Sequence, residues 1–242
     1  MRLLHLPYSK GGAVSTSTVE NYLKQLYTEQ QARPGELILM GRLAAAMGVT
    51  PGTATAMVRG LSESGQVEYK PRRGVRLTPR GERLALHVLR RHRLIELFLV
   101  KVLGLDWSVV HEEAEALEHA LSDRVLDRID GLLGHPRLDP HGDPIPTRQG
   151  QVAEPKRLSL ADCPVGVPLR IAGVVDEEPA FLQFLTQQKL MPGATVTVTH
   201  REAAAGAVRI RTRRRREVLM GMTAAARVLV DASPLARKSR DV

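Results

Sequence analysis

The chain holds 242 residues with a formal net charge of +9, from 35 basic and 26 acidic side chains. That length predicts two or three small domains rather than one large core, and the basic balance favours a polyanionic partner, usually nucleic acid. The single cysteine, Cys163, excludes an intrachain disulfide and a thiolate zinc cluster, while no apolar run reaches the ~20 residues that span a bilayer.

Residues 1–13 read as a loose leader without a signal-peptide core, so the cytoplasm is the expected location. Helical periodicity starts near Ser15, where Val19, Tyr22, Leu23, Leu26 and Tyr27 recur at three- and four-residue steps. A second short helix is predicted over residues 40–47. After Gly48, Thr50 is a good N-cap and Pro51 suits a first helical position, opening a third helix through Ala54, Met57, Val58 and Leu61. Helix, glycine-containing turn and capped helix form a helix-turn-helix pattern. Two strand-like runs over residues 66–70 and 75–78 then flank a Pro71-Arg72-Arg73-Gly74 turn, as a wing whose basic residues are Lys70, Arg72, Arg73 and Arg76.

A long helix is predicted from Pro79 to about Leu103, then helices over residues 108–120 and 122–133. Residues 135–146 are proline-rich and helix-free, marking a domain edge or an ordered crossing loop. From Leu158 the pattern turns to short β-like runs around one helical piece at 180–189, which suggests a small five-stranded barrel. The basic tail from residue 233 is expected to be disordered.

The richest chemistry lies on the central helices. His92 and Glu96 are four apart and project from one face. In the next helix His111, Glu115, Glu118 and His119 fall within one arc of about 100°. Imidazole and carboxylate ligands without thiolate suit Mn²⁺, Fe²⁺, Co²⁺ or Zn²⁺. A di-metal helical-bundle enzyme is the catalytic alternative, but its Glu-x-x-His pattern has no second copy here. A metal-indifferent winged-helix regulator is the other.

The runs His92-Arg93-Leu94-Ile95-Glu96, Gly104-Leu105-Asp106, the segment from His111 to Asp123, and Asp139-Pro140-His141-Gly142-Asp143-Pro144-Ile145-Pro146 closely resemble the diphtheria-toxin-repressor family of iron- and manganese-dependent regulators. The C-terminal stretch resembles its SH3-like (FeoA-like) domain, with Leu190-Met191-Pro192-Gly193 as a turn. The resemblance covers about residues 15–230. It implies a mainly α protein with a small β domain: a winged helix-turn-helix over residues 14–85, a helical dimerisation and metal-binding domain over 86–150, and an SH3-like barrel over 158–232. It further implies a homodimer that binds double-stranded DNA at a palindromic operator when metal is bound, and no catalysis.

Two neighbouring metal sites are implied per subunit. His92, Glu96 and His111 match one; Glu115, Glu118 and His119 match the other. Iron-selective members place Cys where this chain has Glu115, so the harder oxygen ligand tilts the expectation to Mn²⁺ over Fe²⁺. The family's first-helix ligand, Met or Asp, is Asn21 here, and Lys24 replaces an acidic residue of some manganese members; Glu20 is a substitute candidate. From the SH3-like domain Glu178 is the expected ligand, with Glu177 as alternate. The recognition helix would present Thr50, Pro51, Gly52, Thr53, Thr55 and Arg59 to the major groove, and Arg72 and Arg73 of the wing would meet phosphate. Ala56 stands where iron-type members carry a base-contacting Gln, so DNA shape and half-site spacing carry much of the expected specificity. The cluster Arg209, Arg211 and Arg213 to Arg216 reads either as a further DNA-facing patch or as a solvated strand-and-turn face.

Overall fold

A computed structural model describes residues 16–232; the expected leader and tail lie outside the described residues. The chain divides into two compact units between Val88 and Leu89.

The first unit begins with α1, Ser17–Ala32, where the Thr16 hydroxyl accepts from Val19 N at 3.3 Å. Its buried Tyr22, Leu23 and Leu26 share a core with Leu43 and Ala44 of α2, Met40–Ala46, and with Ala54, Val58 and Leu61 of α3, Pro51–Glu63. The Thr50 hydroxyl caps α3 from Thr53 N at 3.2 Å, with Pro51 in the first turn, where its missing N–H costs no bond. The wing pairs β1, Val67–Lys70, with β2, Gly74–Leu77, in the register Val67↔Leu77 to Lys70↔Gly74. Ile38 adds a bridge to Val75 on the other edge. The next helix, α4, Pro79–Lys101, starts hard against this hairpin: a Cβ at Gly81 would lie 1.9 Å from the Gln66 carbonyl oxygen.

In the second unit the remainder of α4 packs Leu94 and Leu97 against Leu126 and Ile129 of α6, Asp123–Leu132. Ile95 and Leu99 face Val110 and Ala114 of α5, Val110–Leu117. α5 is shorter than the 108–120 expected: Glu118 is its C-cap and His119 lies in a turn, with Leu121 N bonded back to Leu117 O. The proline-rich segment is ordered. Asp139 accepts from His141 N at 2.9 Å and Asp143 N at 2.8 Å. Gly142, at φ +94°, presses on the β-domain so closely that a Cβ would sit 2.1 Å from Ala172 O.

That β-domain is one antiparallel sheet in the order β3-β8-β4-β5-β6-β7. Its strands are β3 Arg157–Ser159, β4 Pro168–Val174, β5 Thr195–Glu202, β6 Ala207–Thr212, β7 Glu217–Gly221 and β8 Val228–Asp231. Six strands stand where five were expected. Helix α7, Pro179–Gln188, buries Phe181, Leu182 and Leu185 against the sheet, and a short α8, Met222–Ala226, follows β7. Trp107 enters the same core and donates its indole N–H to Thr186 Oγ1 at 2.8 Å. Among the described residues no helix is long and apolar enough to cross a membrane.

Candidate metal centre

Two turns of α4 place His92 and Glu96 on one buried face, and the first turn of α5 sets His111 opposite. His92 Nε2 lies 3.0 Å from Glu96 Oε1 and 3.2 Å from His111 Nδ1. The other His92 nitrogen, Nδ1, is 2.7 Å from Glu118 Oε2. A proton on Nδ1 donated to that carboxylate frees Nε2 to face the cluster, the arrangement by which a carboxylate fixes the tautomer of a ligating histidine.

Two further residues close the cluster from the β-domain side. Glu177 Oε2 sits 2.7 Å from His111 Nδ1. His141 is fully buried, and its Nε2–H donates to Trp107 O at 2.8 Å. In the neutral imidazole Nδ1 then carries the lone pair; this atom has no hydrogen-bond partner among the described residues and lies 3.7 Å from Glu96 Oε2 and 3.8 Å from Glu177 Oε1. Ligand atoms of Glu96, His111 and Glu177 lie within 4.8 Å of one another, as do those of Glu96, Asp139 and His141 and those of His92, His111 and Glu115.

Burial pushes the Glu96 carboxyl up, but contacts with His111, His141 and His92 outweigh it and hold it well below the usual range. Glu177 and then Glu96 raise His111 to about 10. Burial lowers His141, yet the Glu96 and Glu177 carboxylates carry it up to about 9. Burial, then the charges of Asp143 and Glu96, raises Asp139, against the opposing guanidinium of Arg93. Arg93 holds the loop, at 3.5 Å from Asp139 and 3.2 Å from Asp143. A set of buried imidazoles and carboxylates whose lone pairs converge is costly without a cation or shared protons. The unpaired His141 Nδ1 in its midst fits a divalent ion.

The expected second set is arranged differently. Glu115 Oε1 lies 3.9 Å from His92 Nδ1 and 3.8 Å from His111 Nε2, on the margin of the first cluster. Glu118 is fully buried, and its other oxygen is 3.3 Å from His119 Nε2. Because α5 stops at Leu117, the stripe expected along one continuous helix breaks before His119. Among the described residues Glu115, Glu118 and His119 do not form one closed group. Glu20 and Asn21 occupy the first turns of α1 and are half-buried.

Glu178, the first choice from the β-domain, is turned away. Its backbone N–H bonds Asp176 Oδ1 at 2.9 Å and its carboxylate is held by Arg227 at 3.2 Å, leaving it 61% exposed. The alternate, Glu177, is the one at the cluster. Sequence reasoning passed over His141 and Asp139 as members of a loop motif. The usable signal was a ligand-type pair two residues apart in a segment too rich in proline to be a helix.

On the first unit, Thr50, Pro51, Gly52, Thr53, Ala56 and Arg59 form an exposed face at the start and middle of α3. Thr55 is half-buried and its hydroxyl donates to Pro51 O at 2.7 Å, so it serves its own helix. Thr50 and Thr53 hydroxyls pair at 2.9 Å. The basic wing is smaller than expected, because Glu68 binds Lys70 at 2.9 Å and also pairs with Arg76. Arg72 and Arg73 remain exposed at the tip, with no carboxylate partner among the described residues, and Arg72 takes φ +63°.

Family models match three consecutive stretches: an iron-dependent repressor N-terminal DNA-binding domain over residues 15–75, an iron-dependent repressor metal-binding and dimerisation domain over 78–147, and a FeoA domain over 158–232. The iron-dependent repressor IdeR of Mycobacterium leprae is 30% identical over 193 residues, which is 75% of this chain and 83% of that one. The regulator MntR of Lysinibacillus sphaericus is 34% identical over 122 residues, 49% of this chain and 83% of its own. A solved manganese-dependent transcriptional repressor in complex with manganese superposes with a TM-score of 0.80 at 37% identity, covering 89% of this chain and all of the other. The repressor ScaR with bound Zn²⁺ gives 0.72 at 29% identity, covering 89% of this chain and 99% of that one.

Proposed function

Since this chain belongs to the iron-dependent repressor family of metal-dependent transcriptional repressors, we propose that it senses Mn²⁺, with Fe²⁺ as the alternative ion, through His92, Glu96, His111, His141 and Glu177. The observation that carries the reading is the gathering of three imidazoles and Glu177 around the buried Glu96 carboxylate in overlapping groups, with the buried His141 Nδ1 unpaired. A divalent cation supplies the charge that lets these groups share a site without protons. Asp139 backs the set from the loop that Arg93 holds.

Glu115, Glu118 and His119 are the protein's residues for a second ion. Oxygen and imidazole ligands handicap Mn²⁺ less than sulfur does, which supports manganese, as does the likeness to a manganese-dependent repressor. Residues 86–150 dimerise, and each winged domain places the exposed face of α3 in the major groove, with the wing on the backbone. A twofold dimer fits a palindromic operator in the cytoplasm.

The test is a gel-shift series with Mn²⁺, Fe²⁺, Zn²⁺ and chelator under anaerobic conditions, on wild type and Glu96→Ala. Metal-stimulated binding that Glu96→Ala abolishes while the dimer persists supports the reading. DNA binding indifferent to chelator overturns it.

A further inference from the structure

The turn joining β6 to β7 belongs to the β-domain, far along the chain from the winged helix, yet it repeats the wing's construction. Six of the eight residues from 209 to 216 are arginine. Those on the strand bodies are accounted for. Arg209 is 2.8 Å from Glu202 and 3.6 Å from Glu217, and Arg216 donates to Gln187 O and Gln188 Oε1 at 3.3 and 3.1 Å. Arg211, Arg213, Arg214 and Arg215 are exposed and have no carboxylate partner among the described residues. In the wing, likewise, Glu68 neutralises the strand residues and leaves the tip arginines bare.

The turn is closed by Thr212 N donating to Arg216 O and Arg215 N donating to Thr212 O, both at 2.9 Å. This puts Arg215 at φ +61°, where glycine is the low-strain residue. Arg72 at the wing tip has the same anomaly, at +63°. Clustered guanidinium groups repel one another, and here the cluster includes a residue poorly suited to its backbone. Two open grooves adjoin the turn. One, of about 740 Å³, is lined by Lys189, Thr195, Thr212, Arg213, Arg214 and Arg216. The other, of about 500 Å³, is lined by Thr195, Thr197, Arg211, Thr212, Arg213 and Arg215 among others. Guanidinium and hydroxyl donors with no acidic side chain in either lining are the donor set that recognises phosphate.

We propose that this turn is a second contact for the phosphate backbone of double-stranded DNA, so that the β-domain adds sequence-independent affinity to the winged helix. The proposal rests on the winged helix binding DNA, and the wing variant below separates the two. Each arginine engages phosphate by charge and carries no base preference, so its signature is salt dependence.

The full-length protein, with Mn²⁺ present, is titrated onto a fluorescent duplex of mixed sequence, roughly 30 base pairs long, over a series of salt concentrations. The variant R213A/R214A/R215G removes three charges and gives position 215 the residue its backbone favours; circular dichroism checks its fold. The log–log salt slope should flatten by up to ~2.7 per bound subunit for three lost phosphate contacts, at ~0.9 each. R213K/R214K should keep the wild-type slope, and R72A/R73A should flatten it separately. An unchanged slope in the triple variant, with a flattened one in the wing variant, overturns the proposal and leaves the winged helix standing. Unchanged slopes in both overturn both. Loss of binding to phosphatidylglycerol vesicles by the triple variant, with its DNA slope intact, also overturns it, in favour of a lipid surface.

Discussion

The cluster around Glu96 makes a quantitative prediction about protons. His111 and His141 are raised to about 10 and about 9, so in the metal-free protein at pH 7 both are protonated. To offer lone pairs to a cation each must lose that proton. Binding of Mn²⁺ at pH 7.5 should therefore release about two protons, and log affinity should rise by about two per pH unit below pH 9, roughly 100-fold per unit. The sign follows from the shifts: raised histidine values mean that low pH favours the metal-free form. By the same linkage, the stability these protonated histidines give the metal-free protein is fully present below about 6.5 and is lost as pH rises through about 9 to 10. Metal-conferred stabilisation should thus grow with pH. Glu177→Gln removes the first cause of the His111 shift, so His111 falls back toward 6.5 and the release drops to about one proton. Losing that carboxylate weakens binding as well, which makes the proton count the discriminating readout. Isothermal titration calorimetry in buffers of different ionisation enthalpy measures it. Release of less than about half a proton by wild type, with affinity flat in pH, would refute the placement of His111 and His141 as ligands.

Three other outcomes are expected. Glu118→Gln takes away the carboxylate that orients His92 at 2.7 Å, and should weaken metal binding at the Glu96 cluster by about 10- to 100-fold, read by chelator competition. Glu115→Cys should shift the activation midpoint toward Fe²⁺, Co²⁺ or Zn²⁺ relative to Mn²⁺ by about tenfold, since sulfur favours the softer ions; anaerobic gel shifts metal by metal decide this, and an unchanged order sinks it. Arg72→Ala with Arg73→Ala should weaken binding to all duplexes alike and flatten the salt slope by up to ~2, whereas a slope that stays at its wild-type value places the wing away from DNA.

What the sequence revealed depended on whether a physical signal was local. The helix-turn-helix was legible because Thr50, Pro51 and the buried spacing of Ala54, Val58 and Leu61 act within one helix. His92 and Glu96 share a face for the same reason, four residues apart in a long helix. β7 is obscured in the sequence by the four arginines before it, although Val218 and Met220 alternate inward like any half-buried strand. The end of α5 is obscured too. Ser122, a good cap for the next helix, forces a stop, and the turn that delivers it takes Glu118 and His119 off the helix. Glu177 and Glu178 are adjacent in sequence, and only the fold separates them: Arg227 holds one, and His111 meets the other.

The centre was divided in sequence between two ligand sets, yet Glu118 joins them in space. One of its oxygens meets His92 at 2.7 Å, and the other lies 3.3 Å from His119. Its backbone carbonyl accepts from Arg91 at 3.2 Å, so its position is tied to α4. A fully buried carboxylate between two imidazoles cannot change partner without leaving one of them uncompensated. Any ion that draws Glu118 or His119 into its shell must therefore alter the orientation of His92, and through it the Glu96 cluster. If both sets hold ions, that shared side chain would couple their occupancy, and reciprocity would make the coupling equal in both directions.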